Sequence, residues 1–278
     1  MRVIVADQAG VCFGVKRALD LVNKEAEKGG GLATLGPLIH NPQVVKALEE
    51  KGVRVVRSVE EVAHGAIVMP SHGVPREVLL AAEDAGLRIV DATCPFVAVV
   101  HRKVEELARN GYTVVVVGDA GHSEVKAILS AAGKDALVIS SAEEARRIDW
   151  SGNKIGIVSQ TTQTPERFGE VVGIIAARAR EVAAHNTICY ATHDRQTAAR
   201  KLAPQVEAMF VVGGRNSANT NRLVDICRES GVPTYHIETA NEIRPEWVNG
   251  MHVVGLTAGA STPEWIIDEV KARLEEMN

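Results

Sequence analysis

Three cysteines, Cys12, Cys94 and Cys189, stand 82 and 95 residues apart in this 278-residue chain, and each occupies the same kind of place. Each lies where a short apolar run passes into a helical pattern: VIVADQAGVCFGVKRALDLV, RIVDATCPFVAVVHRKVEEL and HNTICYATHDRQTAARKLA. In parallel α/β sheets, ligands bind outside the carboxyl ends of the strands, at turns of this kind. Three thiolates from three equivalent units would suit an iron–sulfur cluster with one iron left without a protein ligand. Zinc held by three cysteines and a histidine or water is the competing metal, weakened by the absence of any CxxC pair. The fourth cysteine, Cys227, falls mid-helix in NRLVDICRESG, four residues after Leu223, and reads as a small buried hydrophobe.

Histidines follow the same placement. His40 in GPLIHNP, His72 in MPSHGVP and His122 in VVVVGDAGHSEV each follow a strand pattern, lie beside Gly or Pro and precede a helix. Imidazole donors and the open backbone N–H groups of helix starts both favour phosphate. Two further loops, VGGRNSAN at 212–219 and TAGASTP at 257–263, offer Ser217, Asn219 and Ser261 at the same kind of junction. Neither matches a dinucleotide or P-loop pattern, and ordinary helix capping would use the same hydroxyls. Glu124, two residues past His122, and Thr161, within SQTT, could relay protons in a dry site. A first-turn carboxylate also stabilises the helix dipole with no catalytic part, so the two readings of Glu124 stand side by side.

These residues need an alternating scaffold, and the chain supplies one. Val- and Ile-rich runs predict strands at 3–6, 32–35, 53–56, 66–69, 88–90, 113–117, 136–139, 154–158, 208–212, 234–237 and 252–256. Amphipathic patterns predict helices at 15–28, 42–51, 76–85, 95–110, 124–132, 165–184, 196–203, 219–230 and 263–277. Strands apolar on both faces, each followed by a helix, make the fold class α/β with parallel sheets. The cysteine rhythm divides it into three small α/β domains, 13–94, 95–187 and 188–278, joined by an N-terminal strand 1–12.

Composition removes several function classes. With 31 Lys+Arg against 35 Asp+Glu, a net charge of −4 and ten aromatic residues, the chain lacks both the basic footprint and the stacking surface of a nucleic-acid binder. No apolar run approaches the ~18 residues of a membrane span. The opening MRVIVADQAG reads as a strand and carries no cleavage-type segment, so a cytoplasmic, reducing location is expected.

Nine segments in order, AGVCFGVKRA, GPLIHNPQVV, SHGV, DATCPFV, GHSEV, SQTT, ICYAT, GGRNSANTNRL and TAGASTP, resemble the 4-hydroxy-3-methylbut-2-enyl diphosphate reductases. These are the last enzymes of the methylerythritol phosphate route to isoprenoids, and the resemblance covers essentially the whole chain. It implies a pseudo-threefold trefoil of three α/β domains around a central 4Fe–4S cluster, one per chain, held by Cys12, Cys94 and Cys189. It further implies that His40, His72, His122, Ser217, Asn219 and Ser261 contact the diphosphate, and that Glu124 and Thr161 deliver protons. The implied reaction is reductive dehydroxylation at an open apical iron, giving isopentenyl and dimethylallyl diphosphate. Ferredoxin or flavodoxin would supply the electrons. One position departs from the commoner Ser-Ser-Asn pattern of the family: Ala218 stands where a second serine is usual. That removes a hydroxyl contact worth ~0.5–1.5 kcal/mol and leaves a backbone N–H, so a weaker contact without loss of function is expected. Two other readings remain open: a three-cysteine cluster enzyme of the quinolinate synthase type, and a non-catalytic cluster or anion-binding module.

Overall fold

Strands that are apolar on both faces must be covered on both faces, and the central strands of this chain are. The computed structural model describes residues 1–277 and contains the elements in this order. The chain opens with β1 (Arg2–Val5), α1 (Phe13–Glu27), β2 (Leu32–Leu35), α2 (Pro42–Glu50), β3 (Val53–Val56) and β4 (Ala66–Met69). There follow α3 (Arg76–Asp84), β5 (Arg88–Asp91), α4 (Pro95–Arg109), β6 (Thr113–Val117), α5 (Ser123–Ala132) and β7 (Leu137–Ile139). Next come α6 (Ala142–Arg147), β8 (Lys154–Ser159), α7 (Pro165–Ala176), β9 (Glu181–Ala184) and α8 (Tyr190–Leu202). The last are β10 (Ala208–Val212), α9 (Ala218–Glu229), β11 (Thr234–Ile237), β12 (Val253–Ala258) and α10 (Glu264–Glu276).

Three four-stranded sheets result, with orders β1-β12-β10-β11, β3-β2-β4-β5 and β7-β6-β8-β9, and every pairing is parallel. The fold class is therefore α/β, as expected. The inner strands β4 and β10 are buried along their whole length. The edge strands β1 and β9 have exposed ends.

The chain forms two compact units, one of residues 1–16, 40–46 and 190–278 and the other of 17–39 and 47–189. The first unit holds the β1-β12-β10-β11 sheet. Its core packs Phe210, Val212, Leu256, Ile266 and Val270 on one face and Met209, Val211, Leu223 and Cys227 on the other. The second unit holds the other two sheets. Within it Arg76 N donates to Ser130 Oγ (3.0 Å), and that hydroxyl donates to Glu77 (2.7 Å), tying α3 to α5. Gly156 on β8 makes room for α4, since a Cβ there would come within 2.9 Å of Leu107.

Two expected elements are corrected. The helix predicted over 165–184 stops at Ala176, and Glu181–Ala184 instead pairs with Lys154–Ile157 as edge strand β9. EVAA is alanine-rich and half-exposed, so it lacked the apolar run that betrays an inner strand. The helix predicted over 196–203 begins at Tyr190, directly after Cys189, because much of its buried face is polar: Thr192, Arg195 and Gln196.

Candidate functional site

In the second unit the site is built around one carboxyl. β6 ends at Val117, and the chain turns through Gly118 into α5. Gly118 lacks a Cβ because one would lie 2.9 Å from Val125 and 3.0 Å from Gln160 Oε1. His122 caps α5, its Nδ1 accepting a hydrogen bond from Glu124 N (3.2 Å). Glu124 is 3 % exposed and Thr161, on the loop after β8, is 6 % exposed. Thr161 N donates to Glu124 Oε1 at 2.6 Å, and Thr161 Oγ1 donates to Oε2 at 2.8 Å. Burial raises the Glu124 carboxyl from 4.5 to about 7, against the two Thr161 hydrogen bonds that pull it down. A group near its midpoint at neutral pH can hold and release a proton. Glu124 lies in the first turn of α5, so its placement fits the dipole reading as well as a proton-holding one.

Neighbouring residues pin this pair. Gln160 N donates to Val117 O (2.9 Å), Gln160 Oε1 accepts from Asp119 N (3.0 Å) and Nε2 donates to Thr162 Oγ1 (3.0 Å). One fully buried amide thus locks the β6–α5 loop to the β8 loop. Cys189 N donates to Thr161 O (2.9 Å), placing one cysteine beside the Glu124–Thr161 pair. Thr187 Oγ1 holds that approach, accepting from Ser159 N (2.8 Å) and donating to Ser159 O (2.6 Å). Thr187 was not singled out from the sequence; a hydroxyl two residues before a candidate ligand was the available signal.

Cys94 is anchored through its N–H to Ser71 O (2.9 Å), beside His72 on the adjoining loop. Gly73 turns that loop at φ +78°, a conformation that favours glycine, and a Cβ there would meet His101 at 2.9 Å. His101 is thus a packing partner of the His72 loop, and burial lowers its pKa.

In the first unit, Cys12 N donates to Ala260 O (3.1 Å), joining the Cys12 loop to the loop of Ser261. Ser261 Oγ donates to His40 O (3.2 Å), and Gly214 faces the same carbonyl, where a Cβ would sit 2.5 Å away. Burial lowers the His40 pKa. Ser217 caps α9, accepting from Thr220 N (3.3 Å), so the ordinary capping role is present there. Asn219 is different. Its side chain is 5 % exposed, and neither Oδ1 nor Nδ2 has a partner among the described residues. An orphaned buried amide is costly unless a ligand supplies the missing bonds. Thr220 Oγ1, also buried without a partner, fills the space that Cβ atoms on Gly213 (2.7 Å) and Gly259 (2.1 Å) would need.

The structure thus gathers His40, Ser261 and Cys12 through their loops in one unit, and Glu124, Thr161, His122 and Cys189 in the other. Among the described residues, no three His, Cys, Asp or Glu side chains are gathered closely enough to hold a metal ion. The donor chemistry still separates the cysteines. Cys12, Cys94 and Cys189 are in no disulfide, half-buried, and each directly precedes a helix, α1, α4 and α8. Cys227 is fully buried in the α9 core, and burial pushes its thiol up to about 12. These three thiols fit an anionic iron–sulfur group; Cys227 does not.

Comparison with known proteins covers the same length. A family model described as LytB protein matches residues 3–275. The chain is 51% identical over 278 residues to a 4-hydroxy-3-methylbut-2-enyl diphosphate reductase of Pelobacter propionicus, covering 100% of this chain and 99% of the relative. It is 48% identical over 278 residues to the protein of the same name from Geobacter sulfurreducens, covering 100% and 98%. Among solved structures, that of (E)-4-hydroxy-3-methyl-but-2-enyl diphosphate reductase matches with 46% identity and a TM-score of 0.70, over 99% of this chain and 100% of that one. The Plasmodium falciparum reductase matches with 25% identity and a TM-score of 0.92, over 96% and 86%. No helix among the described residues is long and apolar enough to cross a membrane.

Proposed function

Because the chain belongs to the LytB protein family, we propose that it reduces 4-hydroxy-3-methylbut-2-enyl diphosphate to isopentenyl and dimethylallyl diphosphate. The observation that carries this reading is the buried, twice-bonded Glu124 carboxyl with its pKa near neutrality, held beside the Cys189 loop.

The net change is loss of the allylic hydroxyl as water, with two electrons and two protons taken up. Cys12, Cys94 and Cys189 would hold a 4Fe–4S cluster, one per chain. When bound, it would supply electrons singly and offer an open Lewis-acidic iron for the substrate oxygen. Everything else is the work of this chain's side chains. Glu124 holds a proton at neutral pH and delivers it to the departing hydroxyl, directly or through Thr161 Oγ1. Its burial keeps bulk water from competing for that proton.

His40, His72, His122, Ser217, Asn219 and Ser261 take the diphosphate. The orphaned Asn219 amide donates from Nδ2 to phosphate oxygens, and neutral His40 donates without the desolvation cost of a buried cation. Anchoring the diphosphate orients the hydroxyl end and makes the reaction effectively unimolecular. At Ala218 the backbone N–H at the start of α9 stands in for the usual serine hydroxyl.

An outside one-electron carrier, ferredoxin or flavodoxin, supplies the electrons in the cytoplasm. A division into domains 13–94, 95–187 and 188–278 with an N-terminal strand 1–12 is part of the same reading, supported by sheet membership.

Anaerobic purification with iron and sulfide analysis, then titration of the cluster spectrum with the substrate, tests the proposal. Four irons per chain, a substrate-dependent spectrum and both products are expected. A colourless zinc protein would overturn it.

A further inference from the structure

β11 is an edge strand of its sheet, and beside it opens a cleft of about 580 Å³, lined by none of the residues assigned to the reaction. That volume lies within the range of small-molecule sites. Its floor is aromatic: the Tyr235 and Trp247 rings stack 4.4 Å apart and 9° from parallel. The Arg244 guanidinium lies 5.4 Å from the centre of the Trp247 ring. Arg228, from the last turn of α9, lines the same cleft.

The arginines are not equivalent. Arg215 is paired with Glu242, whose other oxygen accepts from Glu238 N (2.7 Å) and Thr239 N (3.2 Å). The guanidiniums of Arg228 and Arg244 make no hydrogen bond or ion pair with the described residues, and that of Arg244 rests on the Trp247 ring. One guanidinium on a stacked indole and a second on the cleft wall, neither in an ion pair, offer two kinds of recognition at once. An inorganic anion would leave the aromatic floor uncovered, and a neutral ring would leave the guanidiniums unused. We propose that this cleft is a second binding site, for a nucleotide. Its base stacks on Trp247 where the Arg244 guanidinium now lies, while Arg244 and Arg228 take the phosphates. The Asn241 amide on the cleft wall can reach the edge of the base.

The cleft is also wired to the loop that carries Ser217 and Asn219. His236 Nε2 bonds Gly213 O (2.8 Å), and Arg215 N donates to Glu238 Oε1 (2.8 Å). A phosphate that draws Arg215 from Glu242 changes the support of that loop, and binding at the two sites becomes coupled in both directions. The coupling rests on the diphosphate reading given above; nucleotide binding does not.

The test is calorimetric titration of anaerobically prepared holoenzyme with ATP, adenosine and inorganic triphosphate. ATP is expected to bind saturably, with adenosine and triphosphate each weaker by about tenfold or more. An Arg228→Ala/Arg244→Ala variant, and separately Trp247→Leu, should weaken ATP by about tenfold or more and leave inorganic diphosphate binding unchanged. Arg228 and Arg244 are exposed, whereas Trp247 is partly buried against the core, so a melting curve checks that Trp247→Leu folds. Triphosphate binding as tightly as ATP, ATP binding untouched by the variants, or no saturable ATP binding would each overturn the proposal. So would ATP binding lost only in Asn219→Ala, which would place the nucleotide in the diphosphate site.

Discussion

Glu124 and Thr161 are joined by two hydrogen bonds across 37 residues of sequence, one from the Thr161 backbone and one from its hydroxyl. A carboxyl so held keeps its geometry in either protonation state, while burial raises its pKa to about 7. The sign of the pH effect follows. The folded protein binds this proton more tightly than the unfolded chain does, so stability from this group is full below about 4.5 and is lost as pH rises through about 7. The loss amounts to roughly 3 kcal/mol. Glu124→Gln, which keeps an acceptor for Thr161 N, should therefore melt above the wild type at pH 8, with the difference vanishing by pH 5. The same variant should bind substrate yet turn over about 100-fold more slowly or worse. Near-wild-type turnover would sink the proton-delivery role.

The cysteines divide three to one by environment, and iron content should divide the same way. Cys189→Ser should lose the cluster, read as iron, sulfide and visible absorbance after anaerobic purification. Cys227→Ala should retain it and cost only about 1 kcal/mol of stability for a small vacancy in the core. A full complement of iron in Cys189→Ser, or its loss in Cys227→Ala, would mean that the ligand set is wrong.

Inner strands such as β4 and β10 were legible because Val, Ile, Ala and Met on both faces leave no other reading. Strand β9 and helix α6 were not. Four half-exposed residues and a six-residue helix carry too little periodicity to stand out from their neighbours. The site was legible as positions, since strand-to-helix turns can be located from pattern alone. Its supports were not: Gln160 and Thr187 act through partners 41 and 28 residues away, a distance that no local period encodes.

Asn219 shows the opposition between function and stability in a single side chain. Both of its polar side-chain atoms are buried and without a partner among the described residues. Asn219→Ala should thus bind inorganic diphosphate about tenfold or more weakly, the loss expected for charge-assisted bonds. The free enzyme should be no less stable, and up to about 1–3 kcal/mol more stable, because the desolvation cost of the amide is gone. Melting with and without saturating diphosphate reads both effects. A variant that melts well below the wild type without ligand would show that the amide has a structural partner.

Thr220 carries the glycines of two loops, and this gives the sharpest mutational test of how those loops are held. A Cβ on Gly259 would lie 2.1 Å from Thr220 Oγ1 and 3.3 Å from its Cβ, so alanine there cannot be accepted without displacing the threonine or the loop. Thr220 is fully buried at the start of α9, with little room to retreat. Gly259→Ala should therefore destabilise the protein by about 1–3 kcal/mol, the usual range for overpacking. It should also raise KM through the neighbouring Ser261 and Asn219. Thr220→Ala removes the hydroxyl that the new Cβ meets at 2.1 Å, so Gly259→Ala/Thr220→Ala should recover most of the loss. The interaction term of that double-mutant cycle should be favourable, on the order of 1 kcal/mol or more. Additive effects would show that the two loops do not rest on Thr220.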